Sequence, residues 1–558
     1  MDCIFRFVTS MALLGAVAAC GGGGGGKSPA PATPPPPPAP TATLTAQTGT
    51  MPLQLAWLDE TALTVTGTVN WTNLPAGVHV VATDLGNYLG PAKALQVTTA
   101  GAFSLSMAGD PALAPGNYSG SVTVQACQDS ACAKPFANTA ITLPYSLVVS
   151  AVDEWSTYQR TPGHNAYVPI TLNPSRFAVK WKWNTTEATG SVLFEQGPNQ
   201  PAVTDGTAVY TTSASFRAEG YLYAVNKATG RSIWSRSLGA SYMTNPPAVR
   251  DGIVYVATSG LFFNGVEYAW SNSYLWAFRA ADGTPVFKEP YPTRWTWPHF
   301  YAPTVKDGTV YLNGGEHVLE TFAFDAGTGA RKWQRTVGDQ SGSTTPTIDG
   351  DLVFSAMSTD TRVLRADSGL PVATLPMVLS TDGAQTYGAS AVATGNGSVL
   401  ALSGGASLFS YSAPGLNYGV KRALNRFTTT PLAASWSTLP LYDGVPVAAN
   451  GVIYAYRYDP AQLDALDEAT GQVLWSWPLP ESEGTIFSEN MIVTKNILFF
   501  NTNTGVKAFD LKTRSIAWRL TVDNCYDWAN DCSGNISMSA DRILFVTRGL
   551  NMMAISLR

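Results

Sequence analysis

Six cysteines and four histidines are the first residues to weigh for chemistry in this chain of 558. Cys127/Cys132 and Cys525/Cys532 form two close pairs. In an exported chain such pairs read as disulfides; metal binding is the rival, and no histidine stands beside either pair. His79, His164, His299 and His317 are scattered, so no two stand at the spacing a zinc or paired acid–base site needs. Glu316/His317 reads as a contact at a sheet edge rather than an acid–base couple. Asp523–Cys532, "DNCYDWANDC", holds three carboxylates four residues apart, whose oxygens suit a hard cation such as Ca²⁺. The spacing matches no calcium loop, and the stretch reads as a solvated loop clipped by its cysteines. No catalytic grouping and no metal-ligand set emerges, which points to binding.

Composition narrows the binding partner. Net charge is −5, charged residues are 13% of the chain, and Lys and Arg nowhere cluster. A protein that tracks phosphates needs such clusters, so nucleic acid is excluded. The start is a targeting segment: Arg6, then a short apolar run ending "VAAC" at Cys20. The small residues before Cys20 resemble a bacterial lipoprotein lipobox. That resemblance implies acylation of Cys20, removal of the segment carrying Cys3, and, with Gly21 rather than Asp following, outer-membrane sorting. Residues 21–41 are a tether of six glycines and a proline run, a hinge and then a stiffer spacer. The expectation is a protein held at the outer membrane by lipid, facing the periplasm or the outside.

From 42 to 151 the pattern is period two. Ala62–Trp71, Gly77–Asp84, Ala94–Met107, Asn117–Cys127 and Ala140–Ser150 read as strands separated by Gly, Pro and Asp. The segment resembles a bacterial immunoglobulin-like β-sandwich, a spacer or adhesion unit.

From 152 to 558 the chain repeats itself. "LYAVNKATGRSIW" (Leu222–Trp234) recurs as "TFAFDAGTGARKW" (Thr321–Trp333) and "LDALDEATGQVLW" (Leu463–Trp475). Each copy is a strand, a turn and a returning strand. The turn glycine recurs at Gly230, Gly283, Gly329, Gly369, Gly415 and Gly471, with Arg514 in a degenerate copy; the tryptophan recurs at Trp234, Trp333, Trp475 and Trp518. A tight turn precedes each copy, from Asp205-Gly206 through Asp251-Gly252, Asp307-Gly308 and Asn450-Gly451 to Ala540-Asp541. Eight first turns meet only seven second turns. The missing outer strand is predicted upstream, at Phe177–Trp183, pairing with Asn551–Leu557 to close a ring. The prediction is an all-β chain: an eight-bladed β-propeller preceded by the sandwich, with each Trp between neighbouring blades.

The motif resembles the pyrroloquinoline-quinone (PQQ) type of propeller repeat over about Ser156–Arg558, and Asp153–Tyr167 resembles the lead-in such propellers carry. The family divides mainly into quinoprotein alcohol dehydrogenases and noncatalytic lipoproteins such as the assembly factor BamB. The first resemblance implies PQQ with calcium, adjacent cysteines under the cofactor and a catalytic Asp; this chain has no Cys-Cys pair and no Cys-x-x-Cys-His. The reading adopted is a noncatalytic envelope scaffold or accessory factor that binds a protein, with no cofactor. The alternatives are a PQQ-dependent dehydrogenase, or recognition of a surface protein or glycan.

Strand connectivity sorts the loops onto two faces. The short turns share one, and the long irregular connections share the other. Phe262, Trp270, Trp295, Trp297, Tyr301 and Trp528 lie in those long connections and form the candidate binding face. The rival reading packs these aromatics on one another.

Overall fold

The structure is a computed structural model. It describes residues 35–58, 62–84, 88–90, 94–110, 112–185, 196–197, 201–215, 218–241, 243–259, 262–263, 268–269, 273–292, 302–314, 320–338, 345–357, 359–378, 390–403, 422–439, 441–457, 459–484, 486, 491–521, 535–548 and 551–558. Nearly all its regular structure is β.

The N-terminal segment makes two packed sheets. One has three strands in the order Thr41–Ala46, Ala62–Thr72, Ala102–Ala108. The other has five, in the order Met51–Ala56, Ile141–Ser150, Gly116–Cys127, Val78–Asp84, Leu95–Val97. The period-two pattern explains the layering: Leu63, Val65, Leu105, Val122, Val124 and Leu143 are buried in one shared core while their neighbours along each strand face solvent. The stretch predicted as one strand over Ala94–Met107 is two, because Gly101 turns the chain with φ +75. Thr41–Ala46 and Met51–Ala56 are strands that the sequence reading passed over.

Eight sheets of four or more strands then follow one another. They span 203–241, 243–290, 304–336, 347–376, 392–437, 442–478, 492–521 and 535–556, and are numbered sheets 1 to 8 here. Each runs from an innermost to an outermost strand, and innermost strands of successive sheets touch. Sheet 8 takes its outer strand from upstream: Ala178–Asn184 pairs with Asn551–Ser556, through Met552↔Trp183 and Ala554↔Trp181. That strand then packs on sheet 1, where Trp181 Nε1 donates to the Lys227 carbonyl at 3.1 Å and Trp183 Nε1 to Ser232 Oγ at 2.8 Å. The ring is therefore closed by pairing both ends of its chain, and the sheets form a β-propeller.

The repeated sentence is the joint between sheets. In sheet 1, Asn226 Oδ1 accepts the amides of Ala228 and Thr229 (3.0 and 2.9 Å), and Gly230 completes the turn at φ +72. A Cβ at Gly230 would lie 2.6 Å from the Trp181 ring of sheet 8, and one at Gly369 would lie 2.6 Å from Trp333 of sheet 3. Glycine is thus required twice, by backbone and by the indole seated on it. The indoles of Trp234, Trp333 and Trp436 donate to carbonyls of the next sheet, at Ala280, Ala366 and Glu468. Every outer strand in sheets 1 to 7 carries a register shift just before this position, a bulge that sharpens the local twist.

One predicted turn is corrected. Gly415 lies outside the described residues, and the second turn of sheet 5 is Thr430–Pro431, between Ala423–Thr429 and Leu432–Ser437. A proline closes this two-residue turn, so no glycine marks it in the sequence.

Candidate functional faces of the propeller

The first and second turns of each sheet define a turn side; the remaining connections join strand ends on the opposite, loop side. On the turn side the lead-in, residues 153–172, forms a strap that visits the sheets in ring order. Inner-strand amides donate to it one sheet at a time: Thr204 to the Trp155 carbonyl (2.7 Å), Val249 to Ser156 (2.8 Å), Ile348 to Pro162 (2.8 Å), Ala393 to Gly163 (2.7 Å) and Val493 to Ala166 (3.1 Å). Sheet 6 is met by a side chain, Ala448 N donating to Asn165 Oδ1 at 3.1 Å. Sheet 8 is met by Glu154 Oε2, 3.0 Å from Ala540 N. On sheet 3, Thr157 Oγ1 donates to the Pro303 carbonyl at 2.7 Å. Without the strap these inner edges would turn unpaired polar groups toward the axis. With it, Trp155, His164 and Ile170 are fully buried. The strap is thus bound to the inner strands at the turn side of the axis.

His164 shows what the strap demands of a residue. Its Nδ1 lies 2.9 Å from Thr347 Oγ1 and its Nε2 lies 3.1 Å from Thr304 Oγ1, so one imidazole ties sheet 3 to sheet 4. Burial pushes its pKa down to about 3, which keeps the ring neutral at physiological pH. Gln159, Arg160 and His164 all have positive φ, the bends that steer the strap round the axis. Where the ring closes, Lys227 Nζ contacts Glu154 Oε1 at 2.8 Å and Asp541 Oδ1 at 3.0 Å. Burial pushes the Asp541 carboxyl up, but Ser539 and Lys227 outweigh it and hold it below its ordinary value.

On the loop side the rim is uneven. Ala218–Asn226 and Ser232–Ser241 in sheet 1 run nine and ten residues, against six for their counterparts in sheets 3, 4 and 6. Two small ladders lie in loop-side connections, Gln196–Gly197 with Ala214–Ser215 before and within sheet 1, and Phe262–Phe263 with Tyr268–Ala269 within sheet 2. Of the predicted binding residues, Phe262 is placed in that second ladder. Trp270, Trp295, Trp297, Tyr301 and Trp528 lie outside the described residues, as do Cys20, Cys525, Cys532, His299, Glu316 and His317. Tyr291, from the same run of aromatics, is buried against Phe322 and Phe324 and belongs to the core.

Two charged networks sit at the loop-side ends of sheets 6 and 7, and sequence reasoning missed both. Asp464, fully buried, receives Arg457 Nη2 (2.7 Å), Tyr442 Oη (3.1 Å), Gln462 Nε2 (2.7 Å) and Ser476 Oγ (2.6 Å). A signal was present: "LYA" and "TFA" become "LDA", so a carboxylate replaces an aromatic in the repeat. In sheet 7, Glu483 pairs with Arg519 and with Lys507, and the Arg519 hydrogen bond holds its carboxyl below the usual range. These saturated pairs read as joints rather than as reactive groups.

The described cysteines do pair: Cys127 and Cys132 are joined in a disulfide. It clips a turn in which the Asp129 carboxylate accepts the amides of Ala131, Ala133 and Lys134, each at 3.0 Å. Among the described residues no group of three or more His, Cys, Asp or Glu is placed to hold a metal, and no helix is long and apolar enough to cross a membrane. No adjacent cysteines exist in the sequence.

Strap, ring closure and indole joints together define a β-propeller of PQQ-type repeats. The family model described as outer membrane protein assembly factor BamB matches residues 178–289, 218–434 and 421–558, more than half of the chain, and the chain belongs to that family. It is also similar to a tetrathionate hydrolase from Acidithiobacillus ferrooxidans, 24% identical over 379 residues, covering 59% of this chain and 71% of that protein. Among solved structures it is similar to BamB from Moraxella catarrhalis, at 13% identity and a TM-score of 0.46 over 68% of this chain and 98% of that one. A europium-containing methanol dehydrogenase has the same identity and TM-score over 71% of this chain and 89% of that one.

Proposed function

We propose that this chain is an accessory protein of the bacterial envelope that works by binding a protein partner on the loop side of its propeller. Membership of the BamB family supports an envelope role with protein partners. The observation that carries the choice of face is the strap: it fills the turn side of the axis with buried chain, while the longer connections all open on the other side. In this reading Cys20 is lipidated at the outer membrane, residues 21–41 are the tether, and the sandwich is an immunoglobulin-like spacer. Trp270, Trp295, Trp297, Tyr301, Trp528 and Phe262 supply the contacts, since rigid aromatics dominate interface energies. Mild crosslinking in the native envelope tests it. One partner should be captured by the wild type and lost from a Trp295→Ala/Trp297→Ala variant of unchanged melting temperature. Absence of a specific partner, or a partner indifferent to the double variant, sinks it.

A second reading rests on the similarity to tetrathionate hydrolase. Here the loop side would take a small sulfur oxyanion and hydrolyse it. Incubating the purified protein with tetrathionate and following its loss decides between turnover and none.

A further inference from the structure

The outer rim of the propeller is not uniform. Five outer strands carry a cation: Lys180 in Ala178–Asn184, Arg236 in Ser232–Ser241, Lys288 in Pro285–Pro290, Lys332 in Arg331–Thr336 and Arg519 in Ser515–Thr521. The three consecutive outer strands of sheets 4, 5 and 6 carry no charged residue: Pro371–Pro376 (PVATLP), Leu432–Ser437 (LAASWS) and Val473–Pro478 (VLWSWP). The exposed large apolar residues follow the same division. Leu370, Val372, Val378, Leu439, Val473 and Leu474, between 42% and 73% exposed, all border this sector, and the rest of the propeller has only Val179 and Ile233 among the described residues.

An outermost strand presents unpaired N–H and C=O groups along its free edge, and natural proteins guard such edges with charge, proline or bulges. The bulge recurs round the ring, so it does not distinguish one sector from another. Charge does. In sheet 4 Pro371 and Pro376 bracket the edge, whereas Val473–Pro478 has proline only at its end. At the bulge slot just before the indole, sheets 8 and 3 hold Lys180 and Lys332 where sheet 6 holds Leu474.

We infer that Val473–Pro478, with Leu432–Ser437 beside it, is a strand-acceptor edge for an extended, uncharged β-strand of a partner protein. Backbone pairing would supply affinity, and Val473 and Leu474 the apolar contacts. The chemistry selects this occupant. Unpaired backbone groups require a hydrogen-bonding partner, which a lipid surface does not provide. An uncharged strand would press against a cation on each of the other five outer strands, and taking even a paired cation out of water costs more than covering this uncharged edge. This inference keeps the protein-binding reading but gives it a second surface, away from the loop side.

The test uses the full-length protein and a capped decapeptide of alternating threonine and valine, with amide hydrogen exchange as the readout. Slowed exchange at 473–478 is expected. It should be absent with the same peptide N-methylated at alternate residues, weakened about tenfold in Leu474→Lys, and unchanged in Ile233→Lys on sheet 1. Overturning results are no protection of this edge, equal protection by the N-methylated peptide, or an unaltered Leu474→Lys. If instead the protein alone dimerises and protects the same amides, the occupant is a second copy and the partner-strand inference is wrong. Envelope crosslinking separates the two surfaces: a partner kept by Leu474→Lys but lost from Trp295→Ala/Trp297→Ala supports the loop side alone and overturns the rim.

Discussion

At the scale of the residue, a buried histidine, the turn glycines and a buried lysine carry most of what is peculiar to this ring. His164 is neutral and buried in the folded state and free to take a proton when unfolded. Its stabilising effect is therefore complete above pH 6.5 and is lost as pH falls from there toward 3, with a slope of at most about 1.4 kcal/mol per pH unit. Thermal melts should show Tm falling through that window, and His164→Gln should lower Tm at pH 7.5 while flattening this part of the pH dependence. The turn glycines separate two costs. Gly252 and Gly369 both have positive φ, but a Cβ meets nothing within 4 Å at Gly252 and Trp333 at 2.6 Å at Gly369. Denaturant unfolding of Gly252→Ala should show about 1–2 kcal/mol lost to left-handed backbone, and of Gly369→Ala distinctly more. Lys227→Met leaves Glu154 and Asp541 facing each other without their cation, and should cost roughly 3 kcal/mol.

At the scale of the element, the strap is the part whose importance exceeds its length. It accepts inner-edge amides from sheet after sheet, so those amides should exchange only when the whole ring opens. Hydrogen exchange should place Val249, Ile348, Ala393 and Val493 in the slowest class, together and with one free energy. Exchange of any one of them well ahead of the others would show that the strap does not bind the sheets into a unit. Much of this architecture was legible in the sequence because its signals are local. Turn glycines, paired first turns and the recurring Trp each report a nearby backbone geometry, and the surplus of first turns pointed to the upstream strand that closes sheet 8. The strap's route was not legible. Its bonds join residues up to several hundred positions apart, and its bends use Gln159, Arg160 and His164, which give no glycine signal. The Thr430–Pro431 turn was missed for a similar reason, since proline does there what glycine does elsewhere. The buried networks at Asp464 and Glu483 depend on which strand ends meet on the loop side, which only the closed ring decides.

At the scale of the whole molecule, one face carries the strap and the other is built up unevenly by longer strands and added ladders. The sandwich reaches the turn side: Arg542 Nη2 donates to the Trp57 carbonyl at 3.2 Å beside the last first turn. Composition and the side on which their connections open single out the aromatic residues expected to bind. The uncharged rim of sheets 4 to 6 became visible only when the outer strands could be compared as a set.

If the loop side is the working surface, it should be covered in the envelope and open in the purified protein. Hydroxyl-radical footprinting of the protein in its native envelope, compared with the purified protein, tests it most directly. Protection is expected to concentrate in the connections at 260–272, 293–301 and 522–534, with the first turns of the sheets labelled equally in both samples. Protection of the turn side instead, or no difference between the samples, would contradict it.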